Sequence, residues 1–143
     1  MELRDTVALV TGGSEGIGHA IAEALANEGS RVTITGRRED VVRDVAEELG
    51  LDWMAGDVGS EEDAVRTVSS VIEKHGRLDI LVNNAGYGLF KPLVDMTLEE
   101  MEGVYRTNVF GPFLMTREAA RQFIQQGSGE LINISSTSSL KGS

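Results

Sequence analysis

The segment TGGSEGIG, residues 11–18, follows the apolar run VALVT and precedes a helical pattern. Gly12 and Gly13 allow a tight turn, and Gly16 and Gly18 lack the Cβ atoms that would obstruct an approaching anion and the close packing of a helix on a strand. Backbone amides at the start of such a helix bind phosphate. The spacing predicts a pyrophosphate-binding turn, and the alternative is an ordinary glycine-rich turn. The candidate residues are Gly12, Ser14, Gly16, Ile17 and Gly18.

Strands and helices alternate around this turn. Apolar residues recur at helical spacing between the strands, and Gly29, Gly50 and Gly76 stand where helices would end in a left-handed residue. A fourth helix is predicted to begin at Thr97, where Glu100 completes a capping box. Five apolar runs are predicted to be strands, at residues 7–11, 31–36, 51–56, 78–86 and 131–135, the last of them buried.

This alternation is typical of an α/β fold with a doubly wound parallel sheet. Right-handed crossovers then place helices on both faces of the sheet. The sequence has no internal repeat, low-complexity segment or proline-rich linker. We therefore expect one domain over residues 1–143.

Composition excludes several functional classes. The chain has no cysteine, so disulfides and cysteine-ligated metals play no part. The formal net charge of −10 repels nucleic acids and anionic membrane surfaces. No basic, apolar leader or membrane-spanning stretch is recognisable. We expect a soluble, cytoplasmic protein that binds neither nucleic acid nor membrane.

Four motifs identify a family resemblance: T-G-x-x-x-G-x-G at 11–18, Asp57-Val58, NNAG at 83–86 and N-x-x-G at 108–111. With them the chain resembles the short-chain dehydrogenase/reductase family along its whole length. The resemblance implies a Rossmann-like sheet of about five strands in the order 3-2-1-4-5. It also implies hydride transfer between a nicotinamide cofactor and a small carbonyl or alcohol substrate, and a homo-oligomer for a full-length form.

The resemblance also assigns cofactor contacts. Asp57 and Val58 would lie by the adenine, and Asn84, Ala85 and Gly86 along the ribose and nicotinamide. Another reading of the asparagines is a hydrogen-bonded turn at a strand end, and both readings can hold together.

The end of the second strand bears on cofactor choice. Gly36 stands where an acidic residue would bind the ribose 2′-hydroxyl of NAD(H). Arg37 and Arg38 follow, and a guanidinium can bind a 2′-phosphate through paired hydrogen bonds. The sequence favours NADP(H) over NAD(H). Glu15, in the glycine-rich turn, counts against it, and the alternative is that both arginines are simply solvated.

Two of the family's four catalytic roles have candidates. Asn108 matches the asparagine of the proton relay, and Ser136 matches the serine that orients the substrate oxygen. Pro112 lacks an N–H, so we expect the Asn108 carbonyl to have no partner within its helix and to be able to hold a water.

The family's Tyr-x-x-x-Lys pair should follow shortly after that serine, and it is absent from the sequence. Tyr87 and Lys91 have the right spacing, but the flanking glycines and Pro92 make a helix improbable, so we reject them.

We therefore expect the C-terminal part of the family fold to be missing from the chain. The first hypothesis is an oxidoreductase whose sequence is cut short. The second is a nucleotide-binding module or fragment that binds NADP(H) without turning over alone. The third is a degenerate fragment that does neither, with an open strand edge prone to aggregation.

Overall fold

The computed structural model of the chain describes residues 1–136. Strands and helices alternate as the sequence predicts, and a short 3₁₀ turn spans Leu93–Asp95. The five strands are β1 (Val7–Thr11), β2 (Arg31–Gly36), β3 (Asp52–Ala55), β4 (Ile80–Asn83) and β5 (Glu130–Asn133). The α-helices are α1 (Gly16–Asn27), α2 (Glu39–Leu49), α3 (Glu61–His75), α4 (Leu98–Tyr105) and α5 (Gly111–Gln126).

The five strands form one parallel sheet in the order β3-β2-β1-β4-β5. From β1 to β3, each new strand is added on one side of β1. After β3 the chain crosses back, and β4 and β5 are added on the other side of β1. This confirms the predicted doubly wound sheet and its strand order. Ligands of such sheets bind at the carboxyl ends of the strands beside this reversal.

β1 is the centre of the core, because all five of its residues are buried. Its side chains alternate between the two faces, as strand geometry requires. Val7 and Leu9 pack with apolar residues of α3 and α5 on one face. Ala8 and Val10 pack with apolar residues of α1 and α2 on the other. Within residues 1–136, no helix combines the length and the apolar composition that crossing a bilayer requires.

The predicted helix signals are present in the structure. Gly50 and Gly76 end α2 and α3 in the left-handed conformation. Thr97 accepts a hydrogen bond from the Glu100 amide, and the Glu100 side chain accepts one from the Thr97 amide, which completes the capping box. These local signals work because each satisfies backbone groups that the first or last helical turn leaves without partners.

The predicted fourth helix is divided. A π-helical turn over Arg106–Phe110 separates α4 from α5, and the Gly111 amide donates to the Arg106 carbonyl five residues back. Pro112 has no N–H to continue the regular pattern, so an interruption at this position has a local cause. The sequence indicated a missing hydrogen bond here, but not the extra residue in the turn.

β5 is also more exposed than its apolar sequence predicts. Leu131 and Ile132 are 42% and 45% exposed. Among the described residues β5 pairs only with β4, so it forms one edge of the sheet. An edge strand with only part of its surface packed leaves apolar side chains open to solvent.

Asp79 connects the beginnings of three strands. Its buried carboxylate accepts a hydrogen bond of 2.9 Å from the Val7 amide and ion-pairs with Arg77 at 2.6 Å. Its carbonyl accepts a hydrogen bond from the Glu130 amide. Burial alone would raise the pKa of Asp79. The hydrogen bonds from Arg77 and Val7 oppose it, and the net pKa is lowered from its ordinary value.

We predict that Asp79→Asn lowers the free energy of unfolding at neutral pH by about 2 kcal/mol, because a buried charge-assisted pair is lost. A carboxyl whose pKa is lowered by folding stabilises the protein above its unfolded pKa of about 3.9. That contribution disappears as the pH falls through the lower, folded value. The difference between wild type and variant should therefore shrink on acidification, measured by urea unfolding at several pH values.

Asp44→Asn is the matched control, because Asp44 is an exposed aspartate whose partner is the adjacent Arg43. Its effect should stay below about 0.5 kcal/mol. An Asp79→Asn effect that did not change with pH would contradict a role for the charged carboxylate.

Candidate functional site

A cleft of about 780 Å³ opens at the carboxyl ends of β2, β1 and β4. It lies where the chain reverses direction across the sheet. Nine of the residues proposed from sequence line it: Gly12, Ser14, Ile17, Arg37, Arg38, Val58, Asn84, Ala85 and Gly86. The other lining residues are Glu15, Thr35, Gly36, Val41, Gly56, Tyr87 and Thr107.

The glycines of the turn serve different physical purposes. Gly16 has a φ of +58°, and a Cβ built on it would meet nothing within 4 Å. A Cβ on Gly12 would lie 2.9 Å from the Ala85 Cα, and one on Gly18 would fall on the Gly12 carbonyl and the Asn84 amide. Gly16 is therefore needed for its backbone conformation, and Gly12 and Gly18 are needed for close packing.

Asn84 holds the glycine-rich turn against the end of β4. Its side-chain Nδ2 donates a hydrogen bond of 3.0 Å to the Gly12 carbonyl. The backbone amides of Asn84 and Ala85 both donate to the Thr11 Oγ1, each at 3.0 Å. Thr11 is buried and was not proposed as a site residue, although it is the first residue of the glycine motif. The hydrogen bonds of Asn84 in the structure are therefore those of a hydrogen-bonded turn at a strand end, the second interpretation given above.

The end of β2 carries exposed positive charge. Arg37 and Arg38 are exposed, and Arg38 makes only a long contact of 3.9 Å with Asp40. Among residues 1–136, no side chain pairs with Arg37. Glu15, also exposed, lies in the same cleft. A phosphate at Arg37 would replace water rather than an existing ion pair, and at Arg38 it would compete only with the long contact to Asp40.

Asp57 and Val58 lie between β3 and α3. The Asp57 carboxylate accepts a hydrogen bond of 2.9 Å from the Gly59 amide, so it shapes this turn and does not line the cleft. Val58 is buried, lines the cleft and packs on Gly111, where an added Cβ would lie 2.7 Å from Val58 Cγ2.

The two candidate catalytic residues lie beside the cleft and do not line it. Asn108 lies in the π-helical turn, and its side chain makes two hydrogen bonds with the backbone of Tyr87. Ser136 is exposed and follows β5 by three residues, at the same edge of the sheet. The structure places them on the side of the cleft formed by β4 and β5.

The rejected pair Tyr87 and Lys91 lies in a segment that is not helical. Lys91 Nζ donates to both carboxylate oxygens of Glu100, at 2.9 and 3.0 Å, and this contact is the main reason that the pKa of Glu100 is lowered. Lys91 is therefore occupied in fastening its segment to α4.

The start of α1 suits an anion. Glu15 precedes the helix without capping it through its side chain, and the first turn has no acidic residue. The amides of this turn are accordingly not satisfied by a side chain, unlike those of α3, where Ser60 accepts from the Asp63 amide. With the open side of Gly16, the turn fits a pyrophosphate group. Within residues 1–136, no group of three or more His, Cys, Asp and Glu side chains is placed to hold a metal ion.

Comparison with known proteins finds consistent matches. A family model described as short chain dehydrogenase matches residues 6–143. A glucose 1-dehydrogenase of Gluconobacter oxydans is 43% identical over 125 residues, which cover 83% of this chain and 47% of that protein. A 3-oxoacyl-(acyl-carrier-protein) reductase of Aquifex aeolicus is 38% identical, over 99% of this chain and 60% of that protein.

Solved structures agree with these matches. A short-chain type dehydrogenase/reductase from Mycobacterium ulcerans superposes with a TM-score of 0.95 at 29% identity, over 100% of this chain and 55% of that chain. The chain therefore spans about half the length of the proteins it matches.

We predict that Gly18→Ala destabilises the protein by about 3 kcal/mol, because the new methyl group would displace Asn84 from the Gly12 carbonyl. Gly16→Ala is the matched control, in which only the left-handed backbone is disfavoured, at about 1 kcal/mol. Urea unfolding of both variants measures the difference. Equal losses would show that the turn does not depend on the close approach of Gly18.

Proposed function

The chain belongs to the short-chain dehydrogenase family, and on that premise we propose that its cleft binds NADP(H) as the cofactor site of an oxidoreductase. The reaction is hydride transfer between the nicotinamide and a carbonyl or alcohol carbon. The observation that carries this proposal is the glycine-rich turn at the start of α1, whose amides have no side-chain cap and whose Gly16 side is open.

The residues present fit a dinucleotide. The turn from Gly12 to Gly18 would hold the pyrophosphate through backbone amides and the helix dipole. Val58 would supply an apolar wall for the adenine, while Asp57 keeps that wall in place through its bond to Gly59. Asn84, Ala85 and Gly86 would line the path of the second ribose and the nicotinamide.

Arg37 and Arg38 support NADP(H) over NAD(H). No carboxylate stands at Gly36 to bind a ribose 2′-hydroxyl or to repel a phosphate. Arg37 has no ion-pair partner among residues 1–136, so its charge is available to a ligand. Glu15 adds a negative charge to the cleft, but two arginines against one glutamate leave the local balance positive.

The catalytic roles are also part of the proposal. When bound, the nicotinamide supplies or accepts the hydride. Ser136 would orient the substrate oxygen by a hydrogen bond from its hydroxyl. Since both polar atoms of the Asn108 side chain are engaged by Tyr87, any relay function of Asn108 falls to its backbone carbonyl.

The substrate is proposed only as a class. One relative is named for glucose and another for a 3-oxoacyl group on acyl carrier protein, and what these share is an alcohol or carbonyl carbon. For this chain we propose a small compound that carries such a group. We also propose a cytoplasmic location and a homo-oligomeric full-length form. The exposed apolar side chains of Val109, Phe110 and Phe113 support such an association.

A second candidate is a nucleotide-binding module without turnover of its own. It is favoured by the placement of Tyr87 and Lys91, which have Tyr-x-x-x-Lys spacing but lie in a segment that is not helical. Under this candidate the purified chain binds NADPH but does not oxidise it with any of a panel of carbonyl compounds. Turnover by the chain alone would exclude this candidate.

We predict that Arg37→Ala weakens NADPH binding by about tenfold or more and NADH binding by less than about twofold. The reason is the loss of charge-assisted hydrogen bonds to the 2′-phosphate alone. Titration calorimetry with each dinucleotide measures both constants on the chain as it stands.

Arg43→Ala removes the same charge from α2 outside the cleft lining, and it controls for net charge. It should leave both affinities within about twofold of wild type. Equal losses for NADPH and NADH in Arg37→Ala would refute the specificity argument, and absence of binding by wild type would refute the proposed function itself.

A further inference from the structure

Tyr87 lines the cleft and is held more firmly than its place in an irregular segment suggests. Its amide donates to Asn108 Oδ1 at 2.9 Å, and its carbonyl accepts from Asn108 Nδ2 at 2.7 Å. Both backbone groups are therefore fixed by one side chain of the π-helical turn. Lys91, bound to Glu100 of α4, fastens the same segment four residues later.

The phenol ring of Tyr87 extends to α4. A Cβ built on Gly103 would lie 2.6 Å from the Tyr87 Oη, so the hydroxyl rests where any other residue would place a side chain. Thr107, which lines the cleft, is four residues after Gly103, in the π-helical turn that follows α4. Tyr87 thus lines the cleft, and its hydroxyl lies against α4.

The hydroxyl of Tyr87 makes no hydrogen bond with any residue in the range 1–136, and the side chain is 40% exposed. A phenol can both donate and accept a hydrogen bond. A positioned ring with an unused polar group in a ligand cleft is preorganised for binding, since little further ordering is required.

The strand order fixes which part of a ligand this residue would meet. Across the sheet, Arg37 follows β2, the glycine-rich turn follows β1, and Tyr87 follows β4. If the 2′-phosphate lies at Arg37 and the pyrophosphate at the turn, the remaining half of the dinucleotide extends toward Tyr87.

We propose that Tyr87 is a cofactor-contacting residue whose hydroxyl hydrogen-bonds to the nicotinamide-ribose half of the dinucleotide, with Gly103 as the residue that makes room for it. This inference rests on the proposed function. It adds a ligand contact outside the glycine and asparagine motifs, made by a side chain that the sequence motifs alone did not select.

The test compares NADPH with adenosine 2′,5′-bisphosphate, a ligand that lacks the nicotinamide-ribose half. Tyr87→Phe should weaken NADPH binding about three- to tenfold and leave the bisphosphate unchanged, because one hydrogen bond is lost at one end. Gly103→Ala should also weaken NADPH binding, because the new methyl group would displace the Tyr87 ring. Alanine stabilises a helix more than glycine does, so the loss would not come from weakening α4. Arg37→Ala should weaken both ligands. Titration calorimetry measures all of these affinities.

Two controls separate contact from disruption. Tyr105→Phe removes a hydroxyl from the other tyrosine of the chain, which does not line the cleft. Glu102→Ala changes the exposed residue next to Gly103. Both should bind NADPH like wild type.

A second readout does not depend on affinity. With fluorotyrosine incorporated, the chain gives two ¹⁹F signals, and Tyr105→Phe identifies the one from Tyr87. NADPH should shift the Tyr87 signal, and adenosine 2′,5′-bisphosphate should not.

Unchanged NADPH affinity in both Tyr87→Phe and Gly103→Ala would overturn the proposal, as would equal losses for the two ligands. If wild type bound neither ligand, the proposed function would fail and this inference with it. If wild type bound both ligands while Tyr87→Phe and Gly103→Ala left NADPH affinity unchanged, the inference alone would fail and the proposed function would stand.

Discussion

The hydrogen bond between Asn84 Nδ2 and the Gly12 carbonyl is the contact on which the cleft depends. It joins the ends of β1 and β4, the two strands between which the chain reverses across the sheet. The two ends approach so closely that no side chain fits at Gly12 or Gly18. Thr11 reinforces the junction by accepting from two amides of the β4 end. Without this junction, the glycine-rich turn and the NNAG segment would not share one binding surface.

At the opposite ends of these strands, Asp79 has a comparable structural role with different chemistry. Its carboxylate joins β1 to β4, and its carbonyl receives the first amide of β5. β1 is thereby fixed at both ends, and its buried side chains lie between the two apolar clusters. The Asp79 carboxylate can remain charged in this buried position because Arg77 and the Val7 amide donate hydrogen bonds in place of water. The glycine-rich turn, whose amides have no side-chain cap, follows the carboxyl end of this fixed strand.

Local signals in the sequence predicted the fold closely. Gly50, Gly76 and the Thr97–Glu100 box mark helix ends, because each acts on backbone groups within one turn. The sequence predicted the division between α4 and α5 less completely. Pro112 indicates an irregularity, but the hydrogen bond between Asn108 of the π-helical turn and Tyr87 joins residues 21 apart, and no local pattern predicts it. The exposure of β5 depends on which strands and helices surround it, and no residue within the strand encodes that.

For the candidate site, sequence alone determined the strand-turn-helix unit with its glycines and the absence of a carboxylate at 36, since each is a property of a few adjacent residues. Only the tertiary structure decided what the other residues do. The missing side chain of Gly18 leaves the space that the Asn84 side chain occupies. The Asp57 carboxylate accepts a hydrogen bond from the Gly59 amide, and the Asn108 side chain is hydrogen-bonded to the Tyr87 backbone. Tyr87 lines the cleft, and its hydroxyl lies where a side chain at Gly103 would be. The physical reason is distance along the chain: these contacts join segments whose approach is set by the packing of the whole sheet.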